Sequence, residues 1–558
     1  MEDSTPIVPI KPQDQTIDTA LRLPREQSEH VARHSEGQDV SHLAMDADKL
    51  QEFFQCSSPV TRLPPEILAY IFELYMGCLG EMTFDGVLAH GPIRFTQVCK
   101  LWRVVVESDP HLWTWIHLHF PESHQSRTED VPRIRSVLDQ HLNRSGALPV
   151  SLTFTDYRTY HSATEELISF LVDRLRKHAQ RWKRISLQLQ GAYFPQLFTF
   201  TPCDLSSLEH LYISGDVFTQ SATLHLDLES ATSLKSFTYS GPGPSVEDRI
   251  YLHWESLEEV SFEFAPHYGG SYTLSRQFRH LAQCQNITTC SLGIDRASLR
   301  LHSSQPITLP CLQTLRVRRL SPLGHASSAI DLLILPQLQT LEIDASVLVS
   351  WNQRWHSHNF SGLLSRSGCS LLHLSIQDVY FPNDELVQCL ALSPALRSLR
   401  FIPCPRSQDI RDVMRKLDIS RTPTGARWNQ SPGQRQVPNS GPLVPQLREI
   451  TLASSVEKYL GSMTAMLRAR VGPRARAAGV ATLRRIGVVF FDMWHDMGVD
   501  RVRDPGHSEK LESFRAELAQ LVSENRNENG REDGDGLEAS MIVDSPYLPE
   551  YVTVQYSS

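Results

Sequence analysis

The first side chains whose type and spacing bear on chemistry are His117 and His119 in "WIHLHF", which share one face if the segment is a strand. Two imidazoles facing one way could serve a metal ion, but no carboxylate or third ligand stands near them, and exposed or satisfied histidines are the plainer reading. The ten cysteines, at 56, 78, 99, 203, 284, 290, 311, 369, 389 and 404, never form Cys-x-x-Cys and mostly sit in apolar runs. They read as reduced, buried thiols. Asn525, Asn527, Asn529 and Gly530 imitate the first half of a calcium loop, yet its twelfth position is Gly536 where a bidentate Glu is needed. Phosphate-loop, dinucleotide, zincin and serine-elbow motifs are all missing. The expectation is no enzyme, no cofactor and no metal.

What remains is recognition, and the elements that would position it must be found first. The chain has 558 residues, 41% hydrophobic and 21% charged, which is ordinary globular content spread over more than one compact core. A net charge of −9 and a pI near 6.2 give no basic field for nucleic acid, and no run reaches the length of a membrane span. The stretch "MEDSTPIVPIKPQDQ" has neither the basic nor the apolar region of a secretory signal. An intracellular protein, cytoplasmic or nuclear, is expected, with no nucleic-acid and no membrane partner.

From Trp182 onward a triad recurs: an apolar residue at i, another at i+3 and a third at i+5. Leu208/Leu211/Ile213, Leu234/Phe237/Tyr239 and Leu257/Val260/Phe262 are the clearest copies; Leu312, Leu338, Leu396 and Leu447 open others, and Trp182, Ile287, Leu371 and Leu483 looser ones. At 41% hydrophobic content any single copy arises by chance at about 7% of positions, so the spacing carries the weight. Successive copies from 182 to 396 lie 23 to 33 residues apart, the period of a leucine-rich-repeat solenoid. Positions i+3 and i+5 share one face of a strand, and "EELISFLVDRLRKHA" supplies a crossover helix. The slot at i+8, held by Asn or Cys in regular repeats, is Asp216, Pro242, Ala265, Leu320, Ser346 and Val379, with only Cys404 conforming, so the expected solenoid is irregular. Alternate strand positions then face outward. They include His210, Tyr212, Glu259, Glu263, Arg316, Arg318, Glu342, Asp344 and His373, a mixed surface suited to a protein ligand, unless Arg316 and Arg318 merely neutralise Glu342 and Asp344 on the next strand.

In "RLPPEILAYIFELY" the Pro64-Pro65 pair and Glu66 set a helix start, and apolar residues then cover most of its circumference. A second helix is expected over Phe95–Val106, ending before Asp109-Pro110. The order Leu63-Pro64-x-Glu66-Ile67-Leu68-x-x-Ile71-Phe72, then Val98-Cys99-x-x-Trp102-Arg103, then Pro110-x-Leu112-Trp113 resembles the F-box, in the manner of fungal F-box and leucine-rich-repeat proteins. The resemblance covers about fifty residues directly. It departs from the family between Phe72 and Val98, where "GCLGEMTFDGVLAHGP" looks like an inserted loop.

That resemblance implies a three-helix module that binds the Skp-type adaptor of a cullin-RING (SCF-type) ubiquitin ligase, while the repeats hold an unidentified protein substrate. It points to Leu63, Pro64, Glu66, Ile67, Ile71 and Trp113 for the adaptor, and to Val98, Cys99 and Trp102 for support. The alternative is a ligase-independent repeat scaffold with a helical N-terminal cap. The expected organisation, an α/β chain, is a disordered arm (1–40), a short lead-in helix (41–58), the F-box-like module (59–120), the solenoid (121–404), a disordered loop insertion (405–441), C-terminal repeats and cap (442–503) and a largely disordered tail (504–558). The basic run Arg468–Arg485 reads as a solvated helix face broken at Gly472-Pro473, with a nuclear signal or acid-binding patch as the other reading.

Overall fold

The computed structural model describes residues 63–78, 91–120, 130–156, 162–190, 205–216, 225–241, 249–264, 274–293, 306–318, 330–344, 357–379, 383–402, 410–421, 442–471, 473–491, 505–528, 537–544 and 554–556. The expected arm, the lead-in helix and most of the inserted loop lie outside them. The chain divides into two compact units, Met1–Ile67 and Leu68–Ser558. The described part of the first is short: Leu63 is half-buried, Pro64, Glu66 and Ile67 are exposed, and the Ile67 N–H donates to the Pro64 carbonyl at 3.0 Å. This turn opens the helix Pro65–Cys78 with proline in its first position and Glu66 at the positive end of the dipole.

Among the described residues of the second unit, fifteen strands form one sheet in chain order. They are β1 (Trp115–Phe120), β2 (Val150–Asp156), β3 (Trp182–Gln190), β4 (His210–Asp216), β6 (Ser236–Gly241), β8 (Glu259–Phe264), β9 (Thr289–Gly293), β11 (Thr314–Arg318), β13 (Thr340–Asp344), β14 (His373–Gln377), β15 (Ser398–Ile402), β16 (Glu449–Ser455), β17 (Arg485–Phe491), β18 (Glu538–Asp544) and β19 (Val554–Tyr556). Neighbours pair in parallel until β19, which runs antiparallel to β18. The short strands β5 (His225–Asp227) and β7 (Arg249–Tyr251) pair with each other, as do β10 (Ile307–Thr308) and β12 (Leu333–Ile334).

Parallel neighbours need crossovers, and helices supply several: Asp130–Arg144, Ser162–Lys177, Leu274–Leu281, Ser357–Ser367, Asn383–Ala391 and Val456–Arg470. The triad explains why the strands stack in register. Every first-slot residue from Trp182 to Leu483 is buried, and so is every residue at i+3 and i+5. Leu211 pairs with Phe237, which pairs with Val260, then Cys290, Leu315, Leu341 and Leu374, so like lies beside like across the sheet. Helix residues Leu171 and Leu175 join the same core. Each such side chain contributes about 1.5–3 kcal/mol only because a neighbouring strand covers it.

The sheet begins earlier and ends later than the sequence spacing indicates. Trp113/Ile116/Leu118 is a further copy of the triad, all three buried, and makes β1 the first strand inside what reads as the helical module. At the other end, the expected disordered tail contains the helix Pro505–Glu528 and strand β18, with Phe514, Leu518 and Leu537 buried in the core. The expected loop insertion likewise contains a helix, Arg411–Leu417, whose Val413, Met414 and Leu417 are buried. Polar composition hides these elements because each has only one inward face, with few apolar residues spread among charged ones. Most of the i+8 slots lie where no side chain is described; Val379 is buried.

Candidate functional site

The helix Pro65–Cys78 has two apolar faces. One, Leu68, Phe72 and Met76 at spacings of four, is buried. Phe72 stacks on Phe95 at 4.3 Å between centroids and tilts against Trp102 at 4.7 Å, so one aromatic cluster holds the helices Pro65–Cys78, Pro92–Phe95 and Lys100–Ser108 together. The second face carries Tyr70, Ile71, Leu74 and Tyr75, which are 57%, 42%, 51% and 50% exposed. Ile67, one turn earlier, is 46% exposed.

The region between the helices departs from the expected continuous helix. A helix covers Pro92–Phe95, a turn follows, and a second helix runs Lys100–Ser108 from an extended Cys99. Consequently Val98, expected as support, is 59% exposed, and Val105 and Val106 take the buried positions. Asp109 then accepts from the His111 N–H at 2.9 Å and caps the short 3₁₀ helix Pro110–Trp113.

Trp113 is not available to an adaptor, and the expectation for it is corrected. It is 0% exposed because it fills a first slot of the repeat, as Trp182 does. The Trp113 Nε1–H donates to the Val106 carbonyl at 2.8 Å, and the Trp182 Nε1–H donates to the Leu175 carbonyl at 2.9 Å, seven residues back in both cases. Below Trp113 lies His141, edge-on at 5.0 Å, with its Nδ1 donating to the Trp113 carbonyl at 3.3 Å. Burial drives the His141 pKa down to about 4, so the ring is neutral.

On the sheet, the outward row carries the other sequence-predicted residues. His210 and Tyr212 stand half-buried on β4, and the Gln188 amide donates to the Tyr212 hydroxyl at 3.4 Å. Ser236 donates to Glu259 at 3.1 Å. Arg316 pairs with Glu342 on the next strand at 3.0 Å, as the neutralisation reading has it. Arg318 does not take the opposite carboxylate, Asp344. It reaches back over β9 to Glu263 at 2.7 Å, across Gly293, which has no side chain to obstruct it. Arg318, Glu342, Asp344 and His373 then line an open cleft of about 420 Å³ together with Ser375, another outward position of the same strand as His373, and with Arg400, which sequence reasoning missed. The missed signal was Arg400 at i+4 from Leu396, an outward position in a copy already recognised.

The described cysteines divide by burial: Cys311 is exposed, and Cys99 and Cys369 are half-buried. Cys284, Cys290 and Cys389 are buried free thiols, and burial pushes the Cys284 pKa up to about 12 and the other two higher. Among the described residues no three His, Cys, Asp or Glu side chains gather as metal ligands, and no helix is long and apolar enough to cross a membrane. His117 stacks on Trp115 at 6.3 Å, with Arg184 5.9 Å above that indole. The basic run is no uniform solvated face: Arg468 approaches Glu517 at 3.9 Å, and Arg470 is fully buried. No protein-family model matches the chain, and no curated protein matches it.

Proposed function

We propose that the protein is a non-catalytic substrate receptor of an SCF-type cullin-RING ubiquitin ligase, an F-box module followed by irregular leucine-rich repeats. The module docks on a Skp-type adaptor and the repeats hold a protein substrate, whose lysines are thereby kept at high effective concentration near the ligase. The observation that carries this reading is the second apolar face of the helix Pro65–Cys78. Four large apolar side chains within six residues stand about half exposed on one stripe. A cap that only closed the repeat core would turn such a stripe inward and leave polar residues outside; contiguous exposed apolar surface marks an interaction site. Support also comes from the buried triad, which recurs at the repeat period and gives a parallel sheet with a polar outward row.

The test is capture of a purified Skp-type adaptor by the full chain, by Ile71→Asp, and by Leu63→Ala/Pro64→Ala. Wild type should retain the adaptor and Ile71→Asp should lose it with an unchanged thermal midpoint, because Ile71 is 42% exposed. The double variant tests Leu63 and Pro64 as a pair, and capture equal to wild type would remove both from the adaptor contact. If folded wild type retains no adaptor, the ligase reading fails and the ligase-independent scaffold takes its place.

A further inference from the structure

The charges along the outward row cancel in a definite order. Glu263 takes Arg318, and Glu342 takes Arg316. Asp344 is engaged in an interaction of its own. Arg400 differs. It is exposed on β15, its neighbours across the strands are Ser375 and Thr451, and among the described residues its guanidinium has no hydrogen bond or ion pair. Where Arg318 crosses a strand to its carboxylate over Gly293, the corresponding step from Arg400 towards Glu342 passes Ser375, and Glu342 is already occupied. A planar guanidinium with five donors, standing in a cleft beside hydroxyl and imidazole groups, is built to take a carboxylate bidentately.

The balance of charge narrows the ligand further. Arg318 and Arg316 are committed to Glu263 and Glu342, Asp344 has an interaction of its own, and Arg400 is left as the arginine of the cleft without a carboxylate among the described residues. A monoanionic side chain matches the one uncommitted cation. A phosphate, with roughly −1.5 to −2 charge, would bring excess negative charge against Glu342 and Asp344. The cleft, about 420 Å³ and open to solvent, runs across outward positions of four neighbouring strands, β11, β13, β14 and β15, so a segment lying across them can deliver a side chain to Arg400.

We propose that Arg400 anchors an aspartate or glutamate side chain of an extended, non-phosphorylated segment of a protein partner, lying in the cleft between β11 and β15. This deepens the receptor reading and rests on it only in naming that partner the substrate. The interaction is a charge-assisted pair rimmed by His373 and Ser375, which supply further hydrogen bonds.

The probe is an array of randomised nonapeptides, each present three times with Glu, Gln or phosphoserine at the fifth position, exposed to the labelled full chain at physiological salt. Among peptides retained, the Glu form is expected to be held about tenfold more tightly than the Gln form. The phosphoserine form is expected to bind no better than Glu. Arg400→Gln should erase the Glu-over-Gln preference, and Arg400→Lys should keep part of it; the Arg400 side chain is exposed, so folding is not at stake. Retention of no peptide, equal retention of Glu and Gln forms, a preference surviving Arg400→Gln, or tighter binding of phosphoserine each overturns the proposal. Adaptor capture by Arg400→Gln should equal wild type. If wild type discriminates Glu from Gln yet captures no adaptor, the assignment of the cleft stands and the receptor reading falls.

Discussion

Arg470 offers the sharpest test of how this chain is held together. It ends the helix Val456–Arg470, is 0% exposed, and donates to main-chain carbonyls. Its Nε–H donates to the Leu417 carbonyl at 2.8 Å, one terminal N–H to the Val444 carbonyl at 3.2 Å, and the other to the Leu443 carbonyl. Burial lowers its pKa to about 10, with Asp418 acting in the opposite sense. That depression corresponds to roughly 3 kcal/mol of net disfavour for the cation, the loss to desolvation being partly offset by Asp418. Each hydrogen bond to a charged group is worth about 1.5–3 kcal/mol, so three are worth about 4–9 kcal/mol. The difference leaves the fork favourable by a few kcal/mol. Arg470→Met keeps much of the volume, removes the desolvation loss and strands three carbonyls, for a net destabilisation of about 3 kcal/mol. Because the chain is large, a local readout is preferable to a global one. Hydrogen exchange should quicken in residues 410–421 and 442–447, which the guanidinium ties together, while β3 to β8 keep their protection. If those segments exchange as in wild type, or if urea resistance rises, the hydrogen bonds do not outweigh desolvation and the reasoning is wrong.

His141 is neutral in the fold with a pKa near 4, against about 6.5 when unfolded, so between these values the unfolded chain binds the extra proton and stability falls as pH falls. The loss approaches roughly 3 kcal/mol by pH 4, and urea midpoints of wild type and His141→Asn should converge over that interval; parallel curves would contradict it. Trp113→Phe keeps the ring burial but strands the Val106 carbonyl, and should lower stability by about 1–3 kcal/mol in denaturant titrations. At Gly487 an added Cβ would meet the Thr451 Oγ1 at 2.7 Å, so Gly487→Ala should cost about 1–3 kcal/mol in the same titration and be largely rescued by Thr451→Ala; additive losses would mean the clash is not the cause.

The buried ladder was legible because its signal repeats. Leu208, Leu234, Leu312, Leu338 and Leu396 recur in the same local setting, and each lies where the triad expects it. Trp113 was misread because its neighbours matched a helical motif, and a single copy of the triad overlapping that motif carries no period of its own. The helix Arg411–Leu417 and strand β18 escaped because Pro, Gly and charged residues flank them, so their one-sided burial is set by tertiary contact and not by local composition. Partner choice within the outward row was not legible either. Register places Asp344 opposite Arg318, yet the pair formed is with Glu263, on the far side of Gly293, and a register position alone does not say which of two carboxylates within reach is taken.

The exposed helix face sets a limit on how the proposed adaptor is held. Full burial of a large apolar side chain yields about 1.5–3 kcal/mol, and Tyr70, Ile71, Leu74 and Tyr75 are each about half exposed, so covering all of them gains roughly 3–6 kcal/mol. Association itself costs an estimated 4–15 kcal/mol, so this face alone yields no stable complex. A tight adaptor contact therefore requires additional surface. Val98, in the turn before the helix Lys100–Ser108, and Val104, within that helix, are further apolar residues at 59% and 55% exposed. With so little excess, one charge in the middle of the stripe is enough to abolish binding, which is why Ile71→Asp discriminates better than any truncation to alanine. It also follows that Val98→Asp should weaken adaptor capture if the interface extends to that turn, and should leave capture untouched if the extra area comes from residues preceding Ile67.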